Sequence, residues 1–272
     1  MDNRSKRFGS IDQTVFRKEG VSQRALTDIK FSGGKISVNE REQNVRYLLK
    51  EDDVLDIIFP MERPNEFLCG EDLPLDIMYE DRDLFIINKR AGMSTIPSRE
   101  HPKGSLANAL VYYYEQNNIH AAIHIVTRLD RDTSGLVLVA KHRHAHHLFS
   151  VMQQKFQINR SYEAFVTGKW REKCGTIDAP IGRKCGSIIE REVRMDGKRA
   201  VTHYSLLQQC ADFSHLKLKL ETGRTHQIRV HMAHKNYPLI GDDLYGGDTT
   251  LLQRQALHCS ELSFEHPLKK IC

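Results

Sequence analysis

The amino-acid sequence predicts an α+β protein preceded by a small α/β module. Three observations carry this. Strand-like alternations and helix-like spacings follow one another without the regular strand–helix–strand rhythm of a doubly wound sheet. A polar stretch with three of the chain's eight prolines, PMERPNEFLCGEDLP, separates two patterned regions between Pro60 and Pro74. Finally, 272 residues with 40% hydrophobic content suffice for one large or two smaller domains and are too apolar for a disordered chain. The expected division is a module over 1–60, a linker over 61–74 and a main domain over 75–272.

The elements follow in order. Ser22 can cap a helix that runs through Leu26 and Ile29 and ends at Gly33-Gly34. Ile36 and Val38 alternate with polar neighbours as in a short strand, Asn39-Glu40 suggests a turn, and Val54, Asp56 and Ile58 continue in extended form. The order helix, turn, GKISVN strand resembles the S-four RNA-binding module, named after a ribosomal protein. Beyond the linker, LDIMYEDRDLFIINKRAG predicts two strands around a turn at Asp81–Asp83. SLANALVYYYEQNN has helical spacing at Leu106, Leu110 and Tyr113/Tyr114, and HAHHLFSVMQQKF predicts a second helix. RSYEAFVTGKW and HLKLKLETG are strands, the second with Leu216, Leu218 and Leu220 on one face; RTHQIRVHMAHK fits a short helix.

Composition excludes several classes. No apolar run approaches the roughly 20 residues of a membrane helix, and the polar MDNRSKRFGS start lacks the apolar centre of a signal peptide. A soluble, cytoplasmic monomer is expected. The six cysteines form no CxxC pair, so they are expected as free thiols. Neither a GxxxxGK[ST] loop nor a GxGxxG turn is present. His142, His144, His146 and His147 have partly helical spacing but no neighbouring Asp, Glu or Cys in sequence, so no metal is expected there. Residues 4–35 carry eight basic and three acidic side chains, whereas 36–60 carry three basic and six acidic ones. A one-sided basic face of this kind, with Arg24 and Lys35 on it, suits a polyanion; a solvated helix surface would look the same on charge alone.

Three stretches bear chemistry. In IVTRLDRDTSGLVLVAK, four charges crowd the mouth of a buried strand. Asp132, Thr133 and Ser134 can bond local amides, and Gly135 lets the chain turn into the strand. Arg128 and Asp130 are left needing a reason: a carboxylate beside guanidinium groups is held ionised, as an anionic nucleophile or as one half of a salt-bridged loop. In LETGRTHQIRVHMAHKNYPLIGDDLYGG, Arg224, His226, Arg229 and His231 crowd one region, which suits a phosphate-rich ligand or an active-site carboxylate. In NRSYEAFVTGKW, Tyr162 is either a core tyrosine or a stacking platform for a base.

Together these stretches resemble the RluA family of RNA pseudouridine synthases, in its RluD-like form. TRLDRDTSGL resembles the family's HRLDxxTSGL, RSYEAFVTG its [KR]xYxAxVxG strand, and ETGRTHQIRVH with GDDLYGG its third motif. IMYEDRDLFIINKRAGM and LHCSELSFEHP resemble its opening and closing strands, so the likeness covers about residues 73–268 in family order. It implies the mixed, largely antiparallel central sheet of that family's catalytic fold and an isomerase that converts uridine to pseudouridine in RNA without metal or cofactor. The substrate it implies is large-subunit ribosomal RNA, with transfer RNA or a non-catalytic RNA-binding role as alternatives. By resemblance Asp130 is the catalytic carboxylate, Arg229 pairs with it and Tyr162 stacks on the uracil. Arg128 fills the place of the flipped nucleotide or grips its phosphate, and Arg224 and His226 contact RNA. Three departures stand out: Thr127 where the family has His, Arg90 where it has Pro, and an end at Ile271-Cys272 shortly after HPL. They lead us to expect an altered packing of the Asp130 loop, a looser turn after Lys89 and a weakened last strand.

Overall fold

Buried apolar strands set the architecture, seen in a computed structural model that describes residues 9–11, 15, 20–65, 67–99 and 101–269. The first unit contains helix α1 (Gln23–Phe31), capped by the Ser22 side chain, which accepts from the Ala25 amide at 3.1 Å. Strands β1 (Lys35–Val38), β2 (Arg41–Glu42) and β3 (Leu55–Ile58) form an antiparallel sheet in the order β2-β1-β3. Asn39 and Glu40 turn the first hairpin with φ of 50° and 65°, the left-handed values that a tight two-residue turn demands. Ile11, Val15, Val21, Ala25, Leu26, Ile29, Ile36 and Val38 bury one another in a cluster of their own. Of the predicted basic face, Arg24, Lys30 and Lys35 are exposed; Arg4, Lys6, Arg7, Arg17 and Lys18 lie outside the described residues, as do Ile271 and Cys272.

Among the described residues the segment after Pro60 has no helix or strand up to residue 76, but it is strapped down. Glu62 accepts from the Arg143 amide at 2.6 Å and pairs with His124 Nε2 at 2.6 Å. The Cys69 carbonyl accepts from Asn108 at 2.9 Å, and the Glu71 amide donates to the Asn108 carbonyl at 3.1 Å.

The remainder comprises β4 (Ile77–Glu80), β5 (Leu84–Lys89), α2 (Leu106–Gln116), β6 (His124–Ile125), β7 (Ser134–Ala140), α3 (Arg143–Gln154), β8 (Asn159–Thr167) and β9 (Cys174–Asp178). Then come β10 (Ile181–Arg183), β11 (Arg191–Val193), β12 (Val201–Gln209), β13 (Phe213–Leu220), α4 (Gln227–His234) and β14 (Leu257–Ser263). The described residues hold a nine-stranded sheet in the order β4-β5-β7-β14-β8-β13-β12-β9, with β6 also on β7; β10 and β11 form a separate hairpin. Only the β14–β7 pairing is parallel; the others are antiparallel. The expectation of a mixed, largely antiparallel sheet is therefore met. The sheet's core gathers Phe85, Val137, Val139, Ala164, Leu216 and Leu218, with α2 packed on it through Leu106 and Leu110. β14, expected to be weak, lies between β7 and β8 and hydrogen-bonds to both.

Candidate active site

β7 enters the sheet beside β14, and this junction fixes the preceding loop. Gly135 has φ +115°, and a Cβ there would lie 2.3 Å from the Cys259 carbonyl oxygen, so only glycine lets the strands approach. Upstream, Leu129 is buried and its backbone is bonded twice to the Thr95 hydroxyl, which accepts from its amide at 3.1 Å and donates to its carbonyl at 2.7 Å. The side chains on either side, Arg128 and Asp130, are thereby displayed on the open side. The Asp130 carbonyl closes the turn by accepting from the Thr133 amide at 3.1 Å. The side chains of Thr133 and Ser134 do not bond local amides as expected. They reach across, Thr133 to Gln255 at 3.1 Å and Ser134 to His258 at 3.0 Å, because the loop is pinned against the strand that arrives last.

Lys89 supports the loop from beneath. It is 1% exposed, and its ammonium donates to the carbonyls of Arg90 (2.9 Å), Met93 (2.7 Å) and Arg131 (3.1 Å). Burial pushes its pKa down to about 8, opposed by Asp132 and Asp130. The turn expected to loosen at Arg90 is thus held by the lysine before it. Thr127, in the family's His position, is buried and accepts from the Leu138 amide at 2.9 Å, which ties the loop to β7.

A second group arrives from α4. Arg229 is buried and forks onto Asp242, with Nε to Oδ2 at 2.8 Å and Nη2 to Oδ1 at 2.7 Å. Its third nitrogen, Nη1, faces Asp130 Oδ2 at 3.7 Å. The Arg229–Asp130 pairing is present, yet the tighter partner is Asp242, which is fully buried. Burial works against the guanidinium charge, but the Asp242 hydrogen bonds and charge outweigh it and raise the pKa. Gly241 makes the Asp242 loop possible: φ is +76°, and a Cβ would lie 2.0 Å from the Arg254 carbonyl.

His226, expected as an RNA contact, sits in the left-handed region at φ 56° with its ring turned inward. Nε2 lies 4.0 Å from Asp130 Oδ2, and Nδ1 lies 2.8 Å from the Tyr245 hydroxyl. That hydroxyl also accepts from the Arg191 amide at 2.9 Å, and its own proton is free to bond Nδ1; in that tautomer the imidazole proton sits on Nε2, facing Asp130. Burial lowers the His226 pKa, Asp130 raises it, and burial prevails. His231, grouped with these residues in sequence, points instead into the core, where it bonds Thr202 and the Ala179 carbonyl at 2.9 Å each.

A cleft of about 490 Å³ opens above this arrangement. Arg128, Arg131, Arg160, Arg224 and Arg229 line it, and Asp130 is its sole carboxylate among the described residues. Tyr162 of β8 lines it too, 4% exposed, its hydroxyl kept protonated by burial. Arg224 is exposed at the rim and donates to the Arg199 carbonyl at 3.0 Å. Arg24 and Lys35 do not line this cleft; Arg24 borders another, between α1 and α3. Sequence reasoning missed Lys89, Asp242 and Tyr245 as site residues. A lysine ending the apolar LFIIN run and an acid between Gly241 and the Gly246-Gly247 pair were the available signals.

His142, the N-cap of α3, has a carboxylate neighbour that sequence distance hid. His142 meets Asp83 at 3.0 Å, and His146 stacks on His124, the partner of Glu62. Asp81, Asp83 and His266 hold ligand-type atoms within 4.8 Å of one another, but Asp81 is engaged by Lys269 Nζ at 2.7 Å and by the amides of Asp83 and Leu84.

The family model for RNA pseudouridylate synthase matches residues 83–234. The chain is 52% identical over 249 residues to the uncharacterized RNA pseudouridine synthase YjbO of Bacillus subtilis, covering 92% of this chain and 88% of that one. It is 40% identical over 248 residues to ribosomal large subunit pseudouridine synthase D of Pseudomonas aeruginosa, covering 86% and 77%. The solved structure of Human RNA Pseudouridylate Synthase Domain Containing 1 superposes with a TM-score of 0.60 at 25% identity, over 71% of this chain and 79% of that one. The match spans more than half of the chain and includes the Asp130 loop, Tyr162 and Arg229, and the chain therefore belongs to the RNA pseudouridylate synthase family, as an RluD-like pseudouridine synthase.

Proposed function

We propose that this synthase isomerises uridines of large-subunit ribosomal RNA in the cytoplasm, with Asp130 as its catalytic carboxylate. The observation that carries the assignment of Asp130 is a single carboxylate in a cleft lined by five arginines. Such a cleft attracts a polyanion and leaves one anionic group to act on it. A glycoside hydrolase would need a second carboxylate across the sugar. Ribosomal RNA is favoured over transfer RNA because relatives at about 40% identity are named for the large ribosomal subunit.

The reaction breaks the bond between ribose C1′ and uracil N1, turns the ring and joins C1′ to C5, whose hydrogen is lost as N1 gains one. Product and substrate are isomers, so the balance needs no oxidant, reductant or energy source. Asp130 attacks the sugar or ring, or assists elimination, with Arg229 and the His226 Nε2–H holding its charge in place. Tyr162 presents a protonated phenol against the flipped uracil for stacking and proton transfer. Arg128 and Arg224, both exposed at the rim, grip phosphates or fill the flipped nucleotide's place. Flipping costs a few kcal/mol and least in a loop or bulge, so locally single-stranded RNA is the target. Residues 1–60 act as an S-four-like RNA-binding module, with Arg24 and Lys35 on its face, joined by 61–74 to a catalytic domain over 75–272.

The test is Asp130→Asn, which keeps shape and removes charge. Release of the uracil C5 hydrogen should become undetectable, while melting temperature and RNA affinity change little. A folded, RNA-binding variant that still releases the hydrogen at a near-normal rate removes Asp130 from the mechanism. Mapping pseudouridine in total RNA with and without the gene separates ribosomal from transfer RNA.

A further inference from the structure

The β10–β11 hairpin stands apart from the main sheet, yet its base is built into the active site. Val193 packs with Ile181, Ala200, Tyr245 and Val230 of α4, the helix that carries Arg229. The Arg191 amide donates to the same Tyr245 hydroxyl that orients His226. From there the hairpin runs outward to a tip over residues 184–190.

That tip is apolar where an exposed loop has no structural need to be. Ile188 is 84% exposed and Ile189 56%. It is also held in shape. The Ser187 hydroxyl accepts from the Ile189 and Glu190 amides at 3.3 and 2.9 Å. The Arg191 guanidinium donates to the carbonyls of Ile188, Ile189 and Glu190 at 3.4, 3.1 and 2.9 Å. The two isoleucines are thus presented on a braced support. Between Ile181 and Arg199 there are six basic and three acidic residues. Glu190 is paired with Lys184 and Asp196 with Arg194, whereas Arg183 and Lys198 have no ion-pair partner among the described residues.

We propose that this hairpin is a second RNA-contacting element, whose Ile188–Ile189 tip packs as an apolar wedge against bases flanking the target uridine while Arg183 and Lys198 hold the adjoining phosphates. A braced apolar tip between such cations matches unstacked RNA, which offers apolar base faces on a charged backbone. A protein partner or a second copy would suit the isoleucines but would leave the cations unanswered. The tip is two to three residues on from Arg191, so it lies at most about 11 Å from it. The bases it meets are therefore neighbours of the flipped uridine rather than the uridine itself. The inference rests on the active-site reading above, but not on which RNA is the natural substrate.

The experiment compares the full-length protein, the Ile188→Ala/Ile189→Ala double variant and an Ile188→Leu/Ile189→Leu control. The probe is a fluorescent oligouridylate of about a dozen nucleotides, titrated at several salt concentrations. The alanine variant should bind about tenfold more weakly, as for truncation of two partly buried aliphatic side chains, with an unchanged salt slope. The leucine control should restore most of the affinity. Arg183→Gln should instead lower the log–log salt slope by about 0.7, the value for one single-strand phosphate. Equal binding by a folded alanine variant overturns the proposal, as does failure of the unaltered protein to bind the probe. A change in sedimentation behaviour without a change in RNA binding also overturns it, in favour of a protein contact. Hydrogen release from labelled large-subunit ribosomal RNA, measured alongside, reports on the substrate reading separately.

Discussion

Arg229 shows how one buried residue serves two carboxylates. Two of its nitrogens are spent on Asp242, and the third faces Asp130. Asp242 thereby fixes the plane and position of the fork, and Asp130 receives a charge that it need not fold. Asp242→Asn should cost about 3–5 kcal/mol in denaturant unfolding, because a buried guanidinium is left without its counter-charge. Replacing both partners, Arg229→Met with Asp242→Leu, should recover most of that stability, since a packed apolar pair avoids the desolvation cost. Hydrogen release from uracil should not recover, because Asp130 then lacks its nearest guanidinium. If the double variant regained activity along with stability, the pair would be structural alone.

At the scale of elements, the linker is the informative one. Its composition suggests a linker, and Glu62 within it binds the Arg143 amide and His124, and so ties the segment to the N-terminus of α3 and to β6. Burial raises the Glu62 pKa, but the His124 and Arg143 hydrogen bonds outweigh it and hold it at about 2, against an ordinary value of 4.5. A depressed carboxyl stabilises the fold above its unfolded pKa. As pH falls from about 4.5 to about 2, the unfolded chain takes up the proton first and this stabilisation is lost. After allowance for solvent screening the effect is of the order of 1 kcal/mol. Glu62→Gln should therefore lower stability at neutral pH and flatten the acid limb of the stability–pH curve. An unchanged acid limb in the variant would show that other carboxyls carry it. Helices α1, α2, α3 and α4 and strands β1, β3, β4, β5, β7, β8 and β13 were legible, because periodicities of 2 and 3.6 and the Ser22 cap are local signals. The β10–β11 hairpin was not, since its short strands carry no alternation long enough to detect.

For the whole molecule, the apolar cluster of the N-terminal unit is separate from the core of the main sheet. Among the described residues the N-terminal unit buries its own core and lines none of the Asp130 cleft. The net charge is only +5, and residues 4–35 alone hold an excess of five basic side chains. Deleting residues 1–60 should weaken RNA binding and flatten its salt dependence, by about 0.7 in log–log slope for each phosphate that is no longer neutralised. Turnover should persist at high RNA concentration. A deletion that abolished turnover but left affinity and salt slope unchanged would show that the unit serves chemistry rather than positioning.

The amino-acid sequence by itself determined the α+β class and the places of most elements, and its motifs, through their resemblance to a family, singled out Asp130, Tyr162 and Arg229 as candidate site residues. Each rests on a local signal: an apolar period, a turn residue, or a short motif beside a buried strand. What only the tertiary structure decided is which charges meet. Lys89 reaches the carbonyl of Arg131 across 42 positions, and Thr133 is held by Gln255 across 122. His226 and His231 lie five positions apart, yet one turns to Asp130 and the other into the core. The energy of a charge or a hydrogen bond depends on burial and partners, and these are set by parts of the chain that periodicity cannot bring together.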